Sequence, residues 1–123
     1  MKQGRPIIAL IEDDPLIRTA IARALDDASY NVISAANGTE GLAIFEENDV
    51  DLAVIDIVMP GNLDGFAVAA EAKRFKPGLR IIFTSGHPPP ADKDLSSLGT
   101  FLQKPSRIPS LLAMIARQLR QRT

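Results

Sequence analysis

The chain has 123 residues, 46% of them hydrophobic, a formal net charge of −1 and no cysteine. That length suits one compact domain with a single core, and the near-neutral balance gives no reason to expect nucleic acid or an anionic membrane surface as the main partner. Without cysteine there are no disulfides, thiolate metal sites or cysteine nucleophiles, and no apolar run approaches the ~20 residues of a bilayer span, so a soluble, cytoplasmic protein is expected.

Short apolar runs alternate with segments of helical period about five times, the pattern of βα units around a parallel sheet. The first strand is expected over 6–11 and runs into Glu12-Asp13-Asp14. Asp14 stands before Pro15 and suits the N-cap of the first helix. There Ile17, Ala20, Ile21, Ala24, Leu25 and Ala28 form the inward stripe, and Arg18, Arg23 and Asp27 the opposite, wet face. A second strand over 31–36 leads through an Asn37-Gly38 turn into a helix from about Thr39 to Glu47, with Leu42 and Phe45 inward and Gly41 as its weak point.

The third strand, 52–56, is apolar until it ends in Asp56. The third helix begins near Asp64-Gly65 and stops before Pro77-Gly78. A fourth strand over 80–84 ends in Thr84-Ser85, after which His87 and the prolines at 88 to 90 must be extended, leaving Ala91 to Leu98 for a short fourth helix. His87 has no second soft ligand and is expected to be an exposed loop residue. The fifth strand, 100–103, leads to Lys104-Pro105. The last helix carries Ile108, Leu111, Leu112, Ile115, Ala116 and Leu119 at helical spacing, with Ser106 suited to cap it and Pro109 tolerable in its first turn. Arg117, Arg120 and Arg122 suit its wet face and final turn.

Parallel strands with right-handed crossovers bring their C-terminal ends to one edge, where open α/β sheets place ligands. The set gathered there is Glu12, Asp13, Asp56, Thr84 and Lys104. Singly, each has an ordinary reading as a strand terminator, turn residue or surface lysine. Together the acids form a nest in which like charges ~4 Å apart repel by ~4 kcal/mol at an effective dielectric of 20, so a compensating cation is expected. Oxygen ligands without Cys or His point to a hard ion, Mg2+ first, with Mn2+ as an alternative. With such an ion in place a carboxylate can attack a phosphoryl group, and Asp56, isolated from other acids in the chain, is the candidate nucleophile. Asp13 and Asp56 would bind the ion, Glu12 would hold it through a water, Thr84 would donate to a phosphoryl oxygen, and Lys104 would add positive charge.

Glu12-Asp13, Asp56, Thr84 and Lys104-Pro105, with Met59-Pro60 and Asp64-Gly65 after the acceptor, form an ordered set at the ends of four strands. On that set the chain resembles, over essentially its full length of 1–123, a receiver domain of bacterial two-component response regulators of the chemotaxis-regulator-like kind. The resemblance implies a flavodoxin-like, doubly wound (βα)5 sandwich with a five-stranded parallel sheet of order 2-1-3-4-5. It implies Mg2+-dependent phosphotransfer to Asp56 from a histidine kinase or histidine phosphotransfer protein, with the main-chain carbonyl of Val58 completing the metal site and a cis peptide at Pro105. Phe101 stands at the switch position, and a downstream protein would bind the surface of the fourth helix, fifth strand and fifth helix. Such a receiver is a signalling module that assists its own phosphorylation and dephosphorylation, either alone or as part of a larger regulator or hybrid kinase. Three departures stand out, the first being that Phe101 lacks a tyrosine hydroxyl. The loop from Pro60 to Asp64 holds one residue more than the commonest spacing, and the positions two after Asp56 and two after Thr84 are Val58 and Gly86, neither of which can orient an attacking water.

Two other readings remain. An aspartyl-phosphate phosphatase of the haloacid dehalogenase type needs an acid two residues beyond the nucleophile, where this chain has Val58. A phosphorylation-independent flavodoxin-like binding module would leave Asp13, Asp56 and Lys104 without a task, and no Ser/Thr/Gly-rich loop follows the first strand to cradle a flavin phosphate.

Overall fold

The computed structural model describes residues 4–59, 61, 63–86, 97–104 and 107–121. The strands are β1 (Ile7–Ile11), β2 (Asn31–Ala35), β3 (Leu52–Asp56), β4 (Arg80–Ser85) and β5 (Thr100–Gln103). The helices are α1 (Pro15–Asp27), α2 (Gly38–Glu47), α3 (Gly65–Phe75) and α4 (Ile108–Arg120). All strand pairings are parallel, in the order β2-β1-β3-β4-β5. This is the expected flavodoxin-like order.

The central strands β1, β3 and β4 are almost wholly buried, as continuous apolar runs demand when helices cover both faces of a sheet. Alternate side chains feed two cores. Ala9, Ile11, Ala53, Ile55, Ile81 and Phe83 pack with α2 and α3, whereas Ile8, Leu10, Leu52, Val54 and Ile82 pack with Leu25 of α1 and Leu111 and Ile115 of α4. Right-handed crossovers place the two helix pairs on opposite faces and all strand C-termini at one edge.

Local chemistry sets the helix starts. Asp14 accepts from the N–H groups of Leu16 and Ile17 with Pro15 at the first helical position, as expected. Asn37, expected in a turn, is the N-cap of α2 and accepts from Glu40 N–H at 2.9 Å, while the Glu40 carboxylate reaches back to accept from the N–H of Ala36, the residue before the cap, at 3.4 Å. Asp64 caps α3 through Ala67 N–H. At α4 the expectation of a Ser106 cap is corrected: Arg107 occupies the N-cap position and makes no side-chain capping bond. Ser106 itself lies outside the described residues, as do Pro60, His87, the prolines at 88 to 90, most of the short helix expected over 91–98, Pro105 and Arg122.

Gly41 and Gly65 mark close approaches near the site. Gly41, the expected weak point of α2, is where that helix meets β1: a Cβ there would lie 2.5 Å from Ile11 Cδ1. At Gly65 a Cβ would come within 2.5 Å of the Asp56 carbonyl oxygen and 2.7 Å of Ile57 Cα, so α3 can start against the end of β3 only without a side chain. Gly65→Ala is therefore expected to destabilise by about 1–3 kcal/mol, the usual cost of forced overpacking, because backbone and not a flexible side-chain tip must yield. Urea unfolding checks this.

The stripe expected on α1 is only partly covered. Leu25 is buried and Ile21 and Ala24 half-buried, but Ile17, Ala20 and Ala28 are exposed, as is Leu16. A groove of about 480 Å3 runs between Ile17, Ala20 and Ile21 of α1 and Ile108 and Leu111 of α4, with Thr84, Gly86 and Lys104 along it. Periodicity identifies an apolar face; the spacing of neighbouring helices decides how much of it is covered. No helix among the described residues is long and apolar enough to cross a membrane.

Candidate functional site

Asp56 is the last residue of β3 and is 5% exposed. Its β4 partner in register is Thr84, also buried. Glu12 follows β1 directly and is 3% exposed, with its N–H donating to Ala35 O at 3.0 Å. Lys104 follows β5, and its N–H donates to Ser85 O, which anchors its backbone to the end of β4. From there Lys104 Nζ donates to Glu12 Oε1 at 2.7 Å and to Asp56 Oδ2 at 3.3 Å. Four strand ends thus deliver residues far apart in the chain to one point.

The remaining polar atoms are tied in as well. Val58 N–H donates to Asp56 Oδ1 at 3.3 Å, and Asp14 N–H to Glu12 Oε2 at 3.2 Å. Carboxylate oxygens of Glu12, Asp13 and Asp56 lie within 4.8 Å of one another, with Asp13 exposed and the other two buried. Burial pushes the Asp56 carboxyl up to about 7, the Glu12 charge pushes the same way, and Lys104 pulls it back. Burial works against the Lys104 ammonium, but the Glu12 hydrogen bond and the Asp56 charge outweigh it and hold its pKa above the usual value.

This arrangement is short of positive charge. Three acids face one ammonium, the donor atoms are all oxygen, and the exposed Asp13 leaves the nest open to solvent. Such a set fits a hard divalent cation, which would neutralise the nest and keep Asp56 ionised.

Sequence reasoning selected Glu12, Asp13, Asp56, Thr84 and Lys104, and the fold brings all five to the same sheet edge. Val58 is two residues past Asp56 with its side chain exposed. Phe101 is half-buried, pairs in register with Phe83 and packs against the core beneath α2 and α3. The Pro105 peptide lies outside the described residues. Arg18 was missed: assigned to the wet face of α1, it is half-buried and donates from Nη1 to Glu12 O at 2.8 Å. A larger cleft, about 630 Å3, lies at the opposite end of β4 and β5 among Lys73, Arg80 and Arg117. It gathers no described carboxylate and is remote from Asp56.

A doubly wound parallel sheet with an acidic nest and an ammonium at its C-terminal edge is the arrangement expected of a receiver domain. The profile of the response regulator receiver domain matches residues 8–116, and the chain belongs to that family. It is 33% identical over 115 residues to the response regulator receiver protein CpdR of Brucella abortus, covering 91% of this chain and 95% of CpdR. It is 34% identical over 125 residues to the sensor kinase CckA of the same organism, covering 94% of this chain but 13% of CckA. It spans 30% of the transcriptional regulatory protein AfsQ1 of Streptomyces coelicolor. Among solved structures, a CheY-like receiver from Methanospirillum hungatei superposes with a TM-score of 0.88 at 27% identity, covering 94% of each chain. The CckA receiver domain superposes with a TM-score of 0.81 at 34% identity, covering 93% of this chain and 99% of that one.

Proposed function

We propose that Asp56 is the phosphoacceptor of a Mg2+-dependent receiver that takes its phosphoryl group from a phosphohistidine on a histidine kinase or phosphotransfer protein. The observation that carries this reading is the buried Asp56 carboxylate held 3.3 Å from Lys104 Nζ inside an oxygen-only nest. Asp13 and Asp56 would hold the ion directly and Glu12 through a water, with Val58 offering its main-chain carbonyl. When bound, Mg2+ supplies positive charge opposite the phosphoryl oxygens.

The chain's own residues do the rest. An ionised Asp56 oxygen attacks phosphorus, the P–O bond forms as the P–N bond breaks, and the imidazole nitrogen leaves with the bonding pair. Lys104 stabilises charge on the transferred group, and the Thr84 hydroxyl donates to a phosphoryl oxygen. Drawing Thr84 inward frees space for Phe101, and the surface around β5, α4 and the segment between β4 and β5 becomes the output face for a downstream protein. The chain works as one signalling unit with no turnover of its own beyond forming and losing the aspartyl phosphate.

Acetyl phosphate with Mg2+, followed by mass spectrometry, tests the reading. Wild type is expected to gain one phosphoryl group and Asp56→Asn none; an unchanged wild-type mass overturns it. Continued hydrolysis of a generic phosphate ester would instead favour a phosphatase. The exposed Val58 and Gly86 offer no acid or amide to a water near Asp56, so the aspartyl phosphate is expected to survive for minutes or longer. Decay of the phosphorylated species within seconds under native conditions would refute that lifetime.

A further inference from the structure

The Arg18 guanidinium turns back along α1 toward the acids. Nη1 donates to the main-chain carbonyl of Glu12 at 2.8 Å and, more weakly at 3.5 Å, to that of Asp13. Among the described residues it makes no ion pair. A guanidinium nitrogen bonded firmly to the Glu12 carbonyl, and only marginally to that of Asp13, restrains how the peptide between the two residues faces, and so where the Asp13 side chain emerges. Glu12 has other anchors at its N–H and both carboxylate oxygens. The main chain where Glu12 meets Asp13 gains its tie to α1 from Arg18.

We propose that Arg18 is a positioning residue of the cation site: it acts through the Glu12-Asp13 backbone to present the acids to Mg2+. The proposal rests on the receiver reading above. Two effects of Arg18 carry opposite signs, and this makes it testable. As a nearby cation it repels Mg2+, so its loss would tighten binding. As a donor that orders the acidic loop it preorganises the site, so its loss would weaken binding.

Calorimetric titration of Mg2+ into metal-free protein separates the two. Arg18→Ala and Arg18→Gln are expected to weaken Mg2+ binding about tenfold, the lower end of what loss of an outer hydrogen-bond partner costs a metal site, with Arg18→Lys falling between them and wild type. Arg23→Ala, which removes an exposed cation from the same helix, is expected to stay within about twofold, since exposed charges are well screened. In acetyl phosphate labelling, Arg18→Ala should raise the half-saturating Mg2+ concentration while the rate at saturating Mg2+ stays near that of wild type. If Arg18→Ala does not fold, Arg18→Gln carries the same test of sign. Equal or tighter Mg2+ binding by the folded Ala or Gln variant overturns the proposal alone, whereas wild type that takes up no Mg2+ overturns the receiver reading with it.

Discussion

Asp56→Asn is expected to stabilise the metal-free protein at pH 8 by on the order of 2–4 kcal/mol, raising its melting temperature by about 10 °C. The cause is burial of the Asp56 carboxyl beside Glu12, which lifts its pKa from 3.8 to about 7. A raised folded-state pKa means that the native protein holds the proton more tightly than the unfolded chain does. The resulting stabilisation is fully present below the unfolded value of 3.8 and is lost as pH rises through about 7. Melting in chelator should therefore fall between pH 4 and pH 8 in wild type, and this component should vanish in the asparagine variant. Mg2+ should reverse the contrast by stabilising wild type at pH 8 more than the variant, because ligand binding to the native state adds stability. A wild-type melting temperature in chelator that rises from pH 5 to pH 8 would remove the basis of this prediction.

Lys104→Met is expected to act in the opposite direction on stability. It removes the ammonium that bridges Glu12 at 2.7 Å and Asp56 at 3.3 Å, leaving two buried acids facing each other. Breaking a fully buried pair costs about 3–5 kcal/mol, and the partial exposure of Lys104 together with proton uptake by Asp56 reduces that to about 2 kcal/mol at pH 8. Mg2+ should restore most of this loss and should bind more tightly than to wild type, since a competing cation has gone. Phosphoryl uptake at saturating Mg2+ should nevertheless fall by about 100-fold, the scale for losing one preorganised charge-stabilising donor. Tighter Mg2+ binding combined with slower labelling is the expected signature. Wild-type labelling rates in the variant would remove Lys104 from the transfer step.

Much of the fold was legible because β1, β3 and β4 are apolar on both faces, and only a sheet covered on both sides explains such runs between helical segments. Helix ends were legible where a short polar side chain could reach free N–H groups, as at Asp14 and Asp64. The start of α4 was not legible in this way, because Arg107 takes the N-cap position without a side-chain bond and the helix starts at Ile108 with Pro109 in its first turn. Gly41 read as a flaw in α2 because propensity counts only the helix itself; the constraint is Ile11 on β1. Arg18 read as solvated because a helical wheel has no place for a side chain that folds back beyond the helix start.

The sequence by itself determined which residues reach the sheet edge, since each of Glu12, Asp13, Asp56, Thr84 and Lys104 stands at or just past the end of an apolar run, and a parallel sheet has one edge for all such ends. The tertiary structure alone decided how those groups act on one another. Burial raising Asp56, the double bridge of Lys104, the grip of Arg18 on Glu12 and the uncovered groove beside α1 depend on distances between segments far apart in the chain or on the way a side chain turns. Electrostatic and packing energies vary steeply with such distances, and periodicity carries no measure of them.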